Sequence, residues 1–181
     1  MRLMMNDENT FMENFSTDEK KVARKRIVGM ILATDMAAHA SHINVMQYKV
    51  KNKNIKMESN NGNLIIDQDS NEAEKFTSQQ QFLDFLIHAS DLSTPTRKFE
   101  TLKEWTYLLF EEFFIQGDVE KSNGMQASFL CDRTTTKVAN EQPGFCNYIV
   151  IPIWNIVSTI MPQTEVAYLR AQENVVNWAH H

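Results

Sequence analysis

The sequence predicts an all-α fold, and three observations carry that expectation. Apolar residues recur at helical spacing, with Phe82, Phe85, Leu86 and Ala89 at i, i+3, i+4 and i+7. Helix punctuation accompanies the periodic stretches, beginning with Ser16 and Glu19 at capping-box spacing. Strand-like alternation is scarce.

Taken in order, the first helix opens after Ser16 and carries Val22, Ile27, Met30, Ile31, Thr34 and Ala38 at its apolar positions. Its other face holds Lys20, Lys21, Arg24, Lys25 and Arg26, which reads as a solvated face. Between residues 51 and 75 the pattern stops. Lysine, asparagine, aspartate and serine dominate there, and only Ile55, Met57, Leu64, Ile65, Ile66 and Ala73 are apolar. A polar, disordered insert or long surface loop is expected. The next helix covers residues 77–89. Pro95 disfavours helix at Thr94, so Asp91 falls near that helix's C-terminal end, three positions after His88. A further helix is expected over 96–116, with Leu102, Trp105, Leu109 and Phe113 in register and Gly117 just past its end. Helix follows over 134–161, broken or bent near Pro143 and Pro152, and again over 164–178.

With 181 residues, of which 43% are hydrophobic, one domain is the natural expectation. A net charge of −5 argues against a general nucleic-acid binder. Cys131 and Cys146 are too few for a disulfide framework and read as reduced and buried. No signal peptide is expected, because Arg2, Asn6, Asp7 and Glu8 stand where an apolar run should be. The longest apolar stretch, 145–161, is interrupted by Asn147, Pro152, Asn155, Ser158 and Thr159. It reads as a buried helix and not as a membrane span. With 10 methionines and 11 phenylalanines, the chain holds more large apolar side chains than a few helices bury, so association through an exposed half-core is expected.

The stretch His88-Ala89-Ser90-Asp91-Leu92-Ser93-Thr94-Pro95 admits two readings. A buried Asp91 would face the negative end of a helix dipole and need a cation or strong donors to stay ionised. On the surface it is an ordinary turn residue.

The surrounding words resemble the class I cyclic nucleotide phosphodiesterases. They are Ile31-Leu32-Ala33-Thr34-Asp35-Met36, Glu111-Glu112-Phe113-Phe114-Ile115-Gln116-Gly117-Asp118, Leu130-Cys131-Asp132-Arg133 and Gln142-Pro143-Gly144-Phe145, with Glu173-Asn174 and Trp178. They run in the family's order from about Asn9 to Trp178. The family's H-N-x-x-H-A and H-D-x-x-H-P-G words do not occur. The five histidines are His39, His42, His88, His180 and His181, and none has such a context. The chain therefore resembles the C-terminal half of the family's helical catalytic domain.

The resemblance implies hydrolysis of cAMP or cGMP to the 5′-monophosphate in cyclic-nucleotide signalling, using two divalent metals (zinc with magnesium or manganese). Asp91 would be the one metal ligand present, and the general-acid histidine lies outside the chain. Gln142 would meet the base edge, Phe145 would stack on the base, and Met36, Leu109 and Phe113 would form apolar pocket walls. Thr94 stands where cAMP-preferring relatives often carry Asn, so base preference is not legible there. Asp35 and His88 would be supporting neighbours of the site. Pro143 stands where a β-branched residue is common, removes a backbone donor and could tilt Gln142. The resemblance also implies a cytoplasmic location. Two other readings remain open from the sequence: a non-catalytic nucleotide-binding or regulatory module, and a helical dimerisation protein derived from the same fold.

Overall fold

The computed structural model describes residues 12–57, 63–67 and 70–181. The residues behind the signal-peptide reading, Arg2 to Glu8, and Asn9, where the resemblance begins, lie outside the described residues, as do 58–62 and 68–69 of the polar segment.

The architecture is all-α, with one two-stranded hairpin. Helix α1 spans Thr17–Leu32 and starts at the expected capping box, in which Ser16 and Glu19 each bond the other's backbone N–H. It ends earlier than its apolar pattern suggests. A short turn at Met36–Ala38 separates it from α2, His39–Lys51. Helix α3 runs Glu72–Asp91 and buries Phe82, Phe85, His88 and Ala89, as the 3.6-residue period requires. Helices α4 (Phe99–Ser122), α5 (Val138–Phe145), α6 (Ile151–Ile160) and α7 (Glu165–Ala179) complete the chain.

Met46 of α2, Phe82, Phe85 and Ala89 of α3, and Ile153, Ile156, Val157 and Ile160 of α6 form the main core. The continuous helix Val138–Ile160 is long and apolar enough to cross a membrane by length and composition, yet its α6 half packs into this core. Pro143 lies inside α5, and one π-helical turn, Cys146–Val150, joins α5 to α6. The Ile151 N–H there donates to the Cys146 carbonyl five residues back. Cys131 and Cys146 are both free and buried. Burial pushes the Cys146 thiol up to about 11.

Two sequence expectations are corrected. First, the described part of residues 51–75 is ordered structure in place of a loop. Strands β1, Ile55–Met57, and β2, Leu64–Ile66, pair antiparallel with Ile55 opposite Ile66. Ile55 is 2% exposed and belongs to the main core. Asp67, just after β2, is buried and accepts from Lys49 Nζ at 2.7 Å and from the Ser78 hydroxyl. Burial alone would raise the Asp67 carboxyl, but bonds from Lys49, Ser78 and Asn54 outweigh it and hold the carboxyl below its usual range. The bend is thus tied to α2 and α3. Lys49→Met should cost about 3 kcal/mol by stranding this carboxylate, readable as a lowered urea midpoint. A polar cavity of about 480 Å³ beside the bend is lined by Lys49, Asn54, Asp67 and Ser78, and by none of the expected site residues.

Second, Gly117 does not end α4. The helix continues to Ser122, and the glycine just past its end is Gly124, at φ +74°. Gly117 instead lies buried inside the helix, where a Cβ would stand 1.9 Å from the Cys131 carbonyl oxygen. The segment after α4 therefore crosses directly over the helix. Arg133 fastens it by donating from Nε to Asp118 at 2.9 Å and reaching Glu111 at 3.3 Å. Glu120 does the same by accepting from the Ser128 N–H at 2.6 Å.

Candidate functional site

Asp91 is the last residue of α3 and is exposed, the surface alternative of the two readings. No hydrogen bond or ion pair among the described residues engages its carboxylate. The chain turns away at once through a short 3₁₀ turn, Thr94–Thr96, in which Pro95 and Thr96 are buried and Thr94 is half-buried.

His88, three residues earlier, is buried where Asp91 is exposed. It is fully buried, and its Nε2 lies 2.9 Å from His39 Nδ1 on α2. The His42 ring also approaches it, with centroids 5.2 Å apart. His88 therefore couples α2 to α3 and does not join Asp91 at a ligand position. Asp35 is an exposed helix cap. Its Oδ1 accepts from the Ala37 N–H at 2.9 Å and starts the turn that leads to His39. Sequence reasoning missed the His39–His42–His88 cluster. The available signal was the pair His39 and His42 at i, i+3, one face of a helix.

Burial, first, and the positive charge that His42 would carry both push the His39 and His88 imidazoles below their ordinary range. Their folded-state pKa values lie below the unfolded value of about 6.5. The cluster's contribution is therefore present above pH ~6.5 and lost as pH falls through the depressed folded values, because the unfolded chain takes up protons first. The urea midpoint should hold level above neutrality and fall as pH drops below about 6.5. His42→Leu should lessen that fall in part, because burial, the larger cause, remains.

Gln142 and Phe145 lie three apart on α5. Gln142 is 6% exposed and Phe145 37% exposed. No hydrogen bond among the described residues engages the Gln142 amide, so its donor and acceptor are both open to a ligand. The Phe145 ring presents a partly free face at the start of the π turn. Helix α4 packs on α5 and carries Leu109, 47% exposed, and Phe113, whose ring lies tilted against Phe110 with centroids 5.6 Å apart. Met36, 45% exposed, sits apart on the turn entering α2, a helix packed chiefly on α3 and α6. The structure thus brings Gln142, Phe145, Leu109 and Phe113 onto two adjoining helices. Asp91 and Thr94 lie at the α3 end, joined to α5 through α7, which packs against both the Thr94–Thr96 turn and α5.

Among the described residues no group of three or more histidine, cysteine, aspartate or glutamate side chains could hold a metal ion. The residues present do not fit a two-metal centre by themselves. They offer one exposed carboxylate, with the nearest imidazole turned inward to another histidine.

Comparison with known proteins places this arrangement. Residues 1–171 match the family described as 3′5′-cyclic nucleotide phosphodiesterase. A Drosophila melanogaster 3′,5′-cyclic-AMP phosphodiesterase, isoform F, is 34% identical over 153 residues, which is 84% of this chain and 22% of the relative. The Rattus norvegicus 3′,5′-cyclic-AMP phosphodiesterase 4C is 29% identical over 177 residues, 98% of this chain and 31% of the relative. The solved structure of LmjPDEB1 in complex with IBMX superposes with a TM-score of 0.80 at 23% identity. It covers 99% of this chain and 49% of that one, and it shows the fold. The chain spans under a third of these curated relatives and about half of the solved chain. On its helices, its ordered motifs and the match across residues 1–171, it belongs to the 3′5′-cyclic nucleotide phosphodiesterase family.

Proposed function

We propose that this chain is the base-recognition half of a cyclic nucleotide phosphodiesterase domain, whose whole protein hydrolyses cAMP or cGMP to the 5′-monophosphate in cytoplasmic cyclic-nucleotide signalling. The observation that carries this reading is the pair Gln142 and Phe145, a buried amide with no competing partner beside a partly open aromatic face. A purine presents complementary donors and acceptors along one edge and a flat surface for stacking. Leu109 and Phe113 on α4 extend the apolar wall, and Met36 and Thr94 border the same nucleotide in the whole domain.

Divalent metals, bound in the whole domain, would supply the hydroxide nucleophile and charge stabilisation on the phosphate. This chain contributes Asp91 to them at most. His39, His42 and His88 lie against one another, His180 Nδ1 meets the Val176 carbonyl, and His181 lies beside Tyr107 and Trp178. The proton donor for the departing ribose oxygen would come from outside this chain.

The test is kinetic, in a protein that joins this chain to the two missing histidine words. Gln142→Ala and Phe145→Ala should each raise KM for the cyclic nucleotide about 10- to 100-fold, the loss of roughly 1.4–3 kcal/mol of base contacts. Smaller changes in kcat are expected, because the base lies away from the reacting phosphorus. Unchanged KM in both variants would remove the pocket assignment.

A second reading rests on α4. Trp105, Leu108, Ile115 and Val119 are all exposed and lie along one stripe of the helix, away from its buried Leu102, Thr106, Phe110 and Gly117. A helix apolar on two faces belongs inside a larger assembly. In the whole domain the remaining half covers this stripe; the isolated chain is expected to cover it by self-association. Sedimentation should show dimers or larger species, and Leu108→Glu should shift them toward monomer.

A further inference from the structure

Helix α7 carries none of the residues placed at the site, yet it holds the site's most consequential corner. Asn174 is 1% exposed. Its side-chain Nδ2 donates two hydrogen bonds across 77–79 residues of sequence, to the Pro95 carbonyl at 2.8 Å and the Arg97 carbonyl at 2.8 Å. Both amide protons are used. Its Oδ1 accepts from Asn177 Nδ2 at 3.2 Å, which fixes which way the amide faces. The corner so held begins directly after Asp91 and contains Thr94. Its own bonds are local: Thr96 N–H to the Ser93 carbonyl at 2.9 Å and Arg97 N–H to the Thr94 carbonyl at 3.1 Å. Among the described residues, Asn174 supplies the hydrogen bonds that tie this turn to an element beyond its flanking helices. The same α7 packs against α5, which carries Gln142.

We infer that Asn174 is the positioning residue that sets Asp91 and Thr94 relative to the base-binding helix, with Asn177 orienting its amide. The inference rests on the site reading above. It does not need a bound metal: the Pro95 carbonyl is a buried acceptor and the Arg97 carbonyl a part-buried one, and the Asn174 donors hold both within the turn that follows Asp91.

The test uses the full 181-residue chain and residue-resolved amide hydrogen exchange. Asn174→Leu keeps the volume and removes both donors and the acceptor. Amides of Thr96 and Arg97 should exchange at least about tenfold faster, the Asp91 carboxyl resonance should move, and amides of α6 should keep their rates. A residue that only fills space would be replaced by leucine without this local effect. Equal acceleration in the corner and α6, or no acceleration at all, overturns the inference. Should Asn174→Leu not fold, Asn177→Ala decides in its place. It should accelerate the same two amides severalfold and spare α6, and the absence of that pattern overturns the inference equally. The outcome is separable from the site reading. If the corner loosens as described while Asp91→Ala leaves turnover intact in the joined protein, the clamp stands and the role given to Asp91 fails.

Discussion

Asp91→Ala, in a protein that joins this chain to the two missing histidine words, is expected to abolish turnover, by at least about 100-fold. Losses of that order accompany removal of groups that merely orient metal ligands, and a ligand's own removal should exceed them. The position favours this effect over a structural one. Asp91 is exposed at the end of α3 and engages no partner among the described residues, so alanine leaves no buried group unsatisfied. The folded chain should keep its urea midpoint within about 0.5 kcal/mol, as surface substitutions do. Loss of activity at constant stability separates chemistry from folding. A variant with near-normal turnover and bound metal would remove Asp91 from the site.

Gly117→Ala is expected to be the most damaging small substitution in stability. The added methyl would stand 1.9 Å from the Cys131 carbonyl oxygen, which is backbone and cannot swing aside. Overpacking of this kind costs about 3 kcal/mol at the upper end of its range. Alanine's helix preference over glycine returns only about 1 kcal/mol. The net change should lower Tm by roughly 4–8 °C for a chain of this size. The segment after α4 would have to lift, straining the Arg133 bonds to Asp118 and Glu111. Gly124→Ala meets no atom within 4 Å but takes a left-handed backbone at φ +74°, so its cost should stay near 1 kcal/mol. Thermal melts of the two variants give the comparison directly.

What could be read from the sequence follows from the range of the interaction responsible. The faces of α3, with Phe82, Phe85 and Ala89 inward, were legible because helical period is local. So was the start of α1, where Ser16 and Glu19 are three residues apart. The hairpin was not, because each strand has three residues, and Ile55 is buried in a core that includes α6, far along the chain. Gly117 looked like a helix end by composition. Only the passage of Cys131 over it, 14 positions on, explains why it is glycine. His88 was read through its sequence neighbour Asp91, while its actual partner His39 lies 49 residues away. The Gln142 and Phe145 pair was legible at i, i+3, but the openness of the amide required the fold. Asn174 was noted only as part of a family word; its two carbonyl partners are visible only once α7 lies across the corner.

The most direct measurement is cyclic nucleotide turnover by the purified 181-residue chain, alone and after joining to a segment bearing H-N-x-x-H-A and H-D-x-x-H-P-G, with and without chelator. One carboxylate cannot hold a two-metal centre. The account predicts no turnover above background for the chain alone and metal-dependent hydrolysis of cAMP or cGMP for the joined protein. Chelator-sensitive hydrolysis by the chain alone would contradict it.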